Sequence, residues 1–314
     1  MAGNFSHGDK NPPMNASTLS RRQFLERSTL AAATVLLGGC SGLKSRAARR
    51  TATDQVALGK TGLKICRLGM GTGSNSGQVQ RALGREGFRD LVHYAYDQGI
   101  TYFDCAQSYR TFEWIGHAIK GLPRERLFIQ SKIPGQPENV LEAIDRHRVA
   151  FDTDYVDSML IHCMVKEGWT DDFRRVMDAF DEAKQKKWIL SKGVSCHSLP
   201  ALHAATASPW TEVHLVRINP QAKHIDGPEQ TWNKPGDNLE PVLAELKTMR
   251  AKGRGIIGMK IIGNGDFTNP ADRERSIRFA LSRPEVDSIV IGFKDRAEID
   301  EALERMNRAL AETA

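Results

Sequence analysis

Leu127-Phe128-Ile129-Gln130-Ser131, an amphipathic run over residues 137–150, and Asp157-Ser158-Met159-Leu160-Ile161 form the stretch from which the rest of the chain can be read. Two short apolar runs flank a longer one whose apolar residues recur at helical spacing, which is the pattern of strand, helix and parallel strand. The same alternation extends in both directions. Strands are expected at 63–70, 101–104, 127–131, 157–161, 189–195, 213–218, 255–261 and 286–291. Helices are expected at 79–98, 113–120, 137–150, 171–187, 199–207, 239–252, 270–282 and 295–310. In the first of these, Leu83, Phe88, Leu91, Val92, Ala95 and Tyr96 share a face, and Asn269-Pro270 reads as an N-cap with proline in the first turn. The strands are continuously apolar, as expected of parallel strands covered on both faces. Eight such units predict an α/β chain folded as a closed, parallel, eight-stranded (β/α)8 TIM barrel, with its active site where strands end and βα loops begin.

The chain has 314 residues, 40% of them hydrophobic, which suits one barrel of about 250 residues. The formal charge is +6, with 44 basic and 38 acidic side chains. Eight of the bases and three of the acids lie in residues 1–54, so the body is near neutral and lacks the basic footprint of a nucleic-acid partner. Five cysteines, with no C-x-x-C, fit neither a disulfide framework nor a zinc spacing. Cys105, Cys163 and Cys196 fall near strand ends with His162 and His197, but the spacing is irregular. They are read as small apolar residues, and no metal is expected.

Ser20-Arg21-Arg22-Gln23-Phe24-Leu25 resembles the twin-arginine export motif. The uncharged stretch 28–39 behind it is too short to span a membrane, which takes about 20 residues, and reads as a signal-peptide core. Leu37-Gly38-Gly39-Cys40 resembles a lipobox, which would leave a lipidated Cys40 as the mature N-terminus; cleavage near Ala47-Ala48 is the alternative. The layout expected is a signal over 1–40, a flexible tether over 41–54 and the barrel over 55–314. The protein is then exported, either periplasmic or held to the cell envelope by lipid at Cys40.

Polar groups gather at the predicted strand ends: Asp104 after the second strand with Tyr109 five residues on, Lys132 after the third and His162 after the fourth. A tyrosine titrates at about 10, and a neighbouring ammonium favours its phenolate. Asp104 would keep Lys132 charged, and His162 would orient a substrate oxygen. Together they make a general acid for a carbonyl oxygen receiving hydride at its carbon.

Asp104-Cys105-Ala106-Gln107-Ser108-Tyr109 matches the D-x-A-x-x-Y pattern of the aldo/keto reductases, Ser131-Lys132 resembles that family's T-K, and Leu160-Ile161-His162 its L-L-H. Glu113-Trp114-Ile115-Gly116-His117-Ala118-Ile119 resembles E-x-x-x-G-x-A-L with an offset of one residue. Over residues 55–310 the chain therefore resembles an aldo/keto reductase. The resemblance implies hydride transfer between a nicotinamide and a carbonyl or alcohol, with Asp104, Tyr109, Lys132 and His162 catalytic. It also implies cofactor contacts at Gly71, Thr72, Ser195, Arg217, Gly263 and Gly265. Lys294 and Arg296 follow the eighth strand, where the family binds the adenosine 2′-phosphate, so NADPH is expected over NADH. Three positions depart from the family pattern: Cys196 for an asparagine, Ile218 for an aromatic that stacks on nicotinamide, and Ala302 near an asparagine that touches adenine. They leave a second reading, a non-catalytic or regulatory exported binding protein on the same barrel. Gly69-Met70-Gly71-Thr72-Gly73 hints at a Rossmann fingerprint, but Ser74 stands at the third glycine and no acidic strand end follows at the required distance. Residues 221–238, with His224, Asp226 and Trp232, are the expected specificity loop.

Overall fold

The computed structural model describes residues 50–232 and 234–312. The twin-arginine and Cys40 motifs, and the expected tether up to residue 49, lie outside the described residues. A short antiparallel pair comes first, β1 (Gln55–Ala57) and β2 (Lys64–Cys66). Eight parallel strands then close a barrel: β3 (Leu68–Gly71), β4 (Tyr102–Asp104), β5 (Phe128–Pro134), β6 (Val156–Met164), β7 (Ile189–Cys196), β8 (Val213–Arg217), β9 (Gly255–Met259) and β10 (Ser288–Gly292). Neighbours pair in sequence order, and β10 returns to β3 through Ile289 opposite Leu68. Around them run α1 (Gln78–Arg81), α2 (Gly84–Asp97), α3 (Ile115–Ile119), α4 (Val140–Phe151), α5 (Trp169–Asp172), α6 (Arg174–Gln185), α7 (Leu199–Ala207), α8 (Glu240–Ala251), α9 (Pro270–Leu281) and α10 (Arg296–Glu312). The expected (β/α)8 TIM barrel is the fold.

Strand periodicity sorts the side chains into two layers. Tyr102, Phe128, Leu160, Val213, Leu215, Ile257 and Val290 fill the barrel interior, while Leu58 and Ile65 of the hairpin close its floor. Phe103, Ile129, Ile161, Val194, Val216 and Ile256 point outward into the layer under the helices. Each buried aliphatic of this kind contributes on the order of 2 kcal/mol.

Five sequence expectations are corrected. The strand over 63–70 is two elements, because the Arg67 amide turns to the Asp54 carbonyl, and the chain leaves the hairpin there to enter the barrel. The helix over 79–98 breaks at residues 82–83, before Gly84 at φ +73, a left-handed conformation that favours glycine, so α2 begins afresh. Residues 50–54 are packed rather than free. Ala52 is fully buried, its amide donates to Asn307 Oδ1 at 2.8 Å, and the Thr51 hydroxyl donates to Asp54 at 2.6 Å. The expected helices over 113–120 and 171–187 are also subdivided, the first into a 3-10 turn and α3, the second into α5 and α6.

Candidate active site

The alternation that fills the barrel interior continues upward into polar residues. After Tyr102 the next inward position is Asp104; after Phe128 and Gln130 it is Lys132; after Leu160 it is His162; after Leu215 it is Arg217. The layer that closes the core is therefore the layer that carries the chemistry.

Lys132 is 1% exposed, and its Nζ donates to both Asp104 carboxylate oxygens at 2.7 Å and to the Cys105 carbonyl at 2.7 Å. The Tyr109 hydroxyl lies 3.4 Å from the same nitrogen. Burial draws the Lys132 pKa down, but Asp104 and then Tyr109 outweigh it, and the net shift is upward, so the ammonium stays charged. Burial pushes the Tyr109 phenol up to about 12, against the opposing pull of Lys132. Lys132 pulls the tyrosine pKa down as expected, but the net shift is upward. Desolvation of a phenolate in this cleft exceeds the attraction of an ammonium already shared with Asp104. The phenol consequently keeps its proton at neutral pH.

His162 packs edge-on against Tyr109 with ring centroids 5.7 Å apart, and its Nδ1 lies 3.3 Å from the Ser108 hydroxyl. Burial, with the Lys132 charge, lowers its pKa to about 3, so it acts as a neutral imidazole. Beyond it, register slips between Ile161 and Met164, and Cys163 adopts φ +61. This bulge turns β6 at the mouth. Ser195 Oγ accepts the freed Cys163 amide at 3.0 Å. Gly73 sits against Tyr109, where a side-chain Cβ would come within 2.2 Å of the ring. Its absence leaves room for the tyrosine to stand over Lys132.

The remaining expected residues separate into those on the groove and those behind it. A cleft of 300 Å³ runs from Asp104 and Tyr109 past Gly71 to Gly265 and Lys294. It shares Gly265, Lys294 and Glu298 with a second cleft of 410 Å³, which continues along α9 and α10. Gly263 starts the turn beneath this path and packs on Phe267. Thr72 lies behind the groove, fully buried, its hydroxyl donating to the Asp104 carbonyl at 3.0 Å. Arg217 is 3% exposed and paired with the fully buried Asp226, Nε to Oδ1 at 2.8 Å. Burial raises the Asp226 pKa to about 6 even against Arg217. Lys294 lines both clefts and pairs with Glu298 at 3.0 Å. Arg296 lines neither; its guanidinium lies 4.9 Å from the centroid of the Tyr94 ring.

The groove has a shape that suits an extended dinucleotide: it begins at Tyr109, passes a glycine turn and runs on into the far cleft. Its far end holds Arg273, Arg305 and Lys294, but also Glu298 and Glu301. Sequence reasoning missed Gln130, whose amide donates to Asp104 at 2.8 Å, and Arg273, which donates to Glu301 at 2.9 Å. Strand alternation marks Gln130, one inward position below Lys132. Arg273 lies on α9, away from any strand end, and carries no such signal. Among the described residues no group of three or more His, Cys, Asp or Glu side chains is placed to hold a metal, although Cys163 Sγ lies 3.6 Å from His197 Nε2.

The family model for the aldo/keto reductases matches residues 67–276. A NAD/NADP-dependent indole-3-acetaldehyde reductase of Schizosaccharomyces pombe is 30% identical over 145 residues, 42% of this chain and 48% of that protein. The chain thus spans about half of that relative's length. A 2,5-diketo-D-gluconic acid reductase B from a Corynebacterium species is 32% identical over 237 residues, 66% of this chain and 84% of that protein. Among solved structures, an aldo-keto reductase from Klebsiella pneumoniae in complex with NADPH superposes with a TM-score of 0.61 at 15% identity, covering 82% of this chain and 89% of that one. The barrel and the motifs at its mouth agree with the match over residues 67–276: the chain belongs to the aldo/keto reductase family.

Proposed function

We propose that the protein is an NAD(P)H-dependent oxidoreductase that interconverts a small carbonyl compound and its alcohol, with Asp104, Tyr109, Lys132 and His162 as its catalytic group. The observation that carries this reading is the Lys132 ammonium, buried between the Asp104 carboxylate and the Tyr109 hydroxyl at the head of the groove. A nicotinamide dinucleotide bound along that groove would supply the hydride. Tyr109 would give its proton to the carbonyl oxygen, and Lys132 would stabilise the phenolate left behind. Asp104 would keep the ammonium charged and fixed, and neutral His162 would orient the oxygen by a hydrogen bond. The experiment is a panel of aldehydes and ketones followed by NADPH and NADH oxidation. Turnover on none of them, with cofactor still bound, would favour a regulatory barrel over an enzyme.

The far cleft bears on cofactor choice. The named function of the fission-yeast relative, which uses either cofactor, supports both, and the cations at the far cleft support NADPH. Because Lys294 alone of the two sequence-picked cations lines the cleft, Lys294→Ala is expected to weaken NADPH binding by about fivefold to tenfold while barely moving NADH, as suits one exposed phosphate contact. Arg296→Ala is expected to leave the NADPH-to-NADH ratio unchanged. Fluorescence titration of both cofactors checks this, and equal losses for both in the Lys294 variant would remove the 2′-phosphate role.

The motifs at Ser20–Leu25 and at Cys40 support export by the twin-arginine route with a lipid anchor. This route carries folded proteins, so a cofactor site assembled from several loops would be complete before passage. Replacing Arg21 and Arg22 together by Lys is expected to hold the protein in the cytoplasm. Cell fractionation reads this directly, and undiminished export of the double variant would assign another pathway.

A further inference from the structure

Lys260 follows β9 at the mouth and takes no part in the catalytic group described above. It sits at φ +63, a strained conformation for a non-glycine residue that is held only where the surroundings impose it. Its carbonyl accepts Asn219 Nδ2 at 3.1 Å and its Nζ donates to Asn264 Oδ1 at 2.9 Å, so both ends of the residue are fixed. It lines the same cleft as Asp104 and Tyr109.

The charges around it do not cancel. Lys132 is matched by Asp104, and Arg217 by Asp226. His162 and His197 are both held neutral by burial. Asp266, the carboxylate whose charge acts on Lys260, is engaged by His224 at 2.8 Å and by Lys223 at 3.7 Å. Among the described residues no carboxylate forms an ion pair with Lys260. Partial burial, and after it the Arg217 charge, lower its pKa, while Cys163 and Asp266 pull weakly the other way. The other groups that act on it include Cys163 and Lys132, which belong to the catalytic end of the mouth rather than to the far cleft.

Resting on the reductase reading above, we infer that Lys260 is a specificity residue that selects carbonyl substrates bearing a second, anionic group such as a carboxylate. A substrate whose carbonyl oxygen meets Tyr109 would place that group against Lys260, a mouth ammonium without a carboxylate ion pair among the described residues. The interaction is a charge-assisted hydrogen bond in a partly desolvated cleft, which is where such bonds are strongest.

The test compares 4-oxobutanoate with butanal, which have the same carbon skeleton and differ in the carboxylate. In Lys260→Gln the ratio of kcat/KM for 4-oxobutanoate to that for butanal is expected to fall by about tenfold or more, and Lys260→Arg is expected to restore much of it. NADPH affinity, read by fluorescence, is followed in the same variants. A ratio that does not move overturns the inference, as does a loss of NADPH affinity with the ratio intact, which would assign Lys260 to the cofactor phosphates. Calorimetric titration of the resting protein with succinate needs no turnover: weakening by about tenfold in Lys260→Gln is expected, and equal binding by both proteins overturns the site. If the wild type turns over no carbonyl at all, the reductase reading fails while the succinate titration still decides this one.

Discussion

Tyr109→Phe is expected to lower kcat on the best carbonyl substrate by about a hundredfold or more while leaving cofactor affinity close to wild type. The ring would keep its place between Gly73 and His162, because the substitution removes one oxygen and no carbon. What is lost is the proton that must reach the carbonyl oxygen as the hydride arrives. The nearest other proton source, Lys132, is held above its ordinary pKa and already donates to Asp104 and to the Cys105 carbonyl. His162 is held neutral with a pKa of about 3, so no imidazolium stands by. A variant with near-wild-type kcat would show that Tyr109 is not the acid. The same environment predicts a pH–rate profile without a histidine step near neutrality, since neither His162 nor Tyr109 titrates there.

Stability is expected to fall steeply as pH drops from 7 toward 4. His147, His162 and His214 are buried, and burial lowers them to about 4, 3 and 3, while His197 is lowered well below its ordinary value. Among the described residues His214 finds no partner for either ring nitrogen. In the unfolded chain each titrates at about 6.5, so below that pH the unfolded state binds protons that the folded state refuses. A depressed pKa contributes stability that is fully present above 6.5 and is lost as pH falls toward the folded value. Each group loses about 1.4 kcal/mol per pH unit in that window, or about 2 kcal/mol by pH 5. Asp226 acts in the opposite sense. Its pKa is raised to about 6, so its burial becomes less costly as pH falls from there. One such group offsets only part of the loss from four histidines, and the sum is large beside a typical total stability of 5–15 kcal/mol. Urea unfolding at pH 7, 6 and 5 measures the slope. His214→Leu should lower the proton uptake on unfolding at pH 5 by about one, and a wild-type stability that is flat across this range would sink the argument.

The eight βα units were legible because buried parallel strands are written as unbroken apolar runs, and the polar cluster at the mouth was legible because strand alternation carries Asp104, Lys132 and His162 onto the inner face. What was not legible depends on contacts distant in sequence. The hairpin merged with the first barrel strand because nothing in Leu63–Met70 says that the Arg67 amide will turn to Asp54. The break before Gly84 was hidden by an apolar stripe that continues across it. Arg296 sits two residues from Lys294, and only the position of Tyr94 on α2 shows that it points away. The special roles of Cys163 and Lys260 come from left-handed backbone at the mouth, which strand periodicity does not foresee.

The closure of β10 onto β3 fixes an order of events during synthesis. Ser288 donates its hydroxyl to the carbonyl of Cys66, 222 residues earlier, and β3 has no partner on that edge until the end of the chain arrives. An unfilled edge of this kind is the one a nascent chain is most exposed to pairing wrongly, and closing so distant a contact is slow. While the ribosome is still at work, the first residues made have emerged and the barrel is an open sheet. Anything that engages those residues early meets an unfinished protein, so passage in a finished state requires a delay of at least the time from the first codons to those of α10 and the final seam.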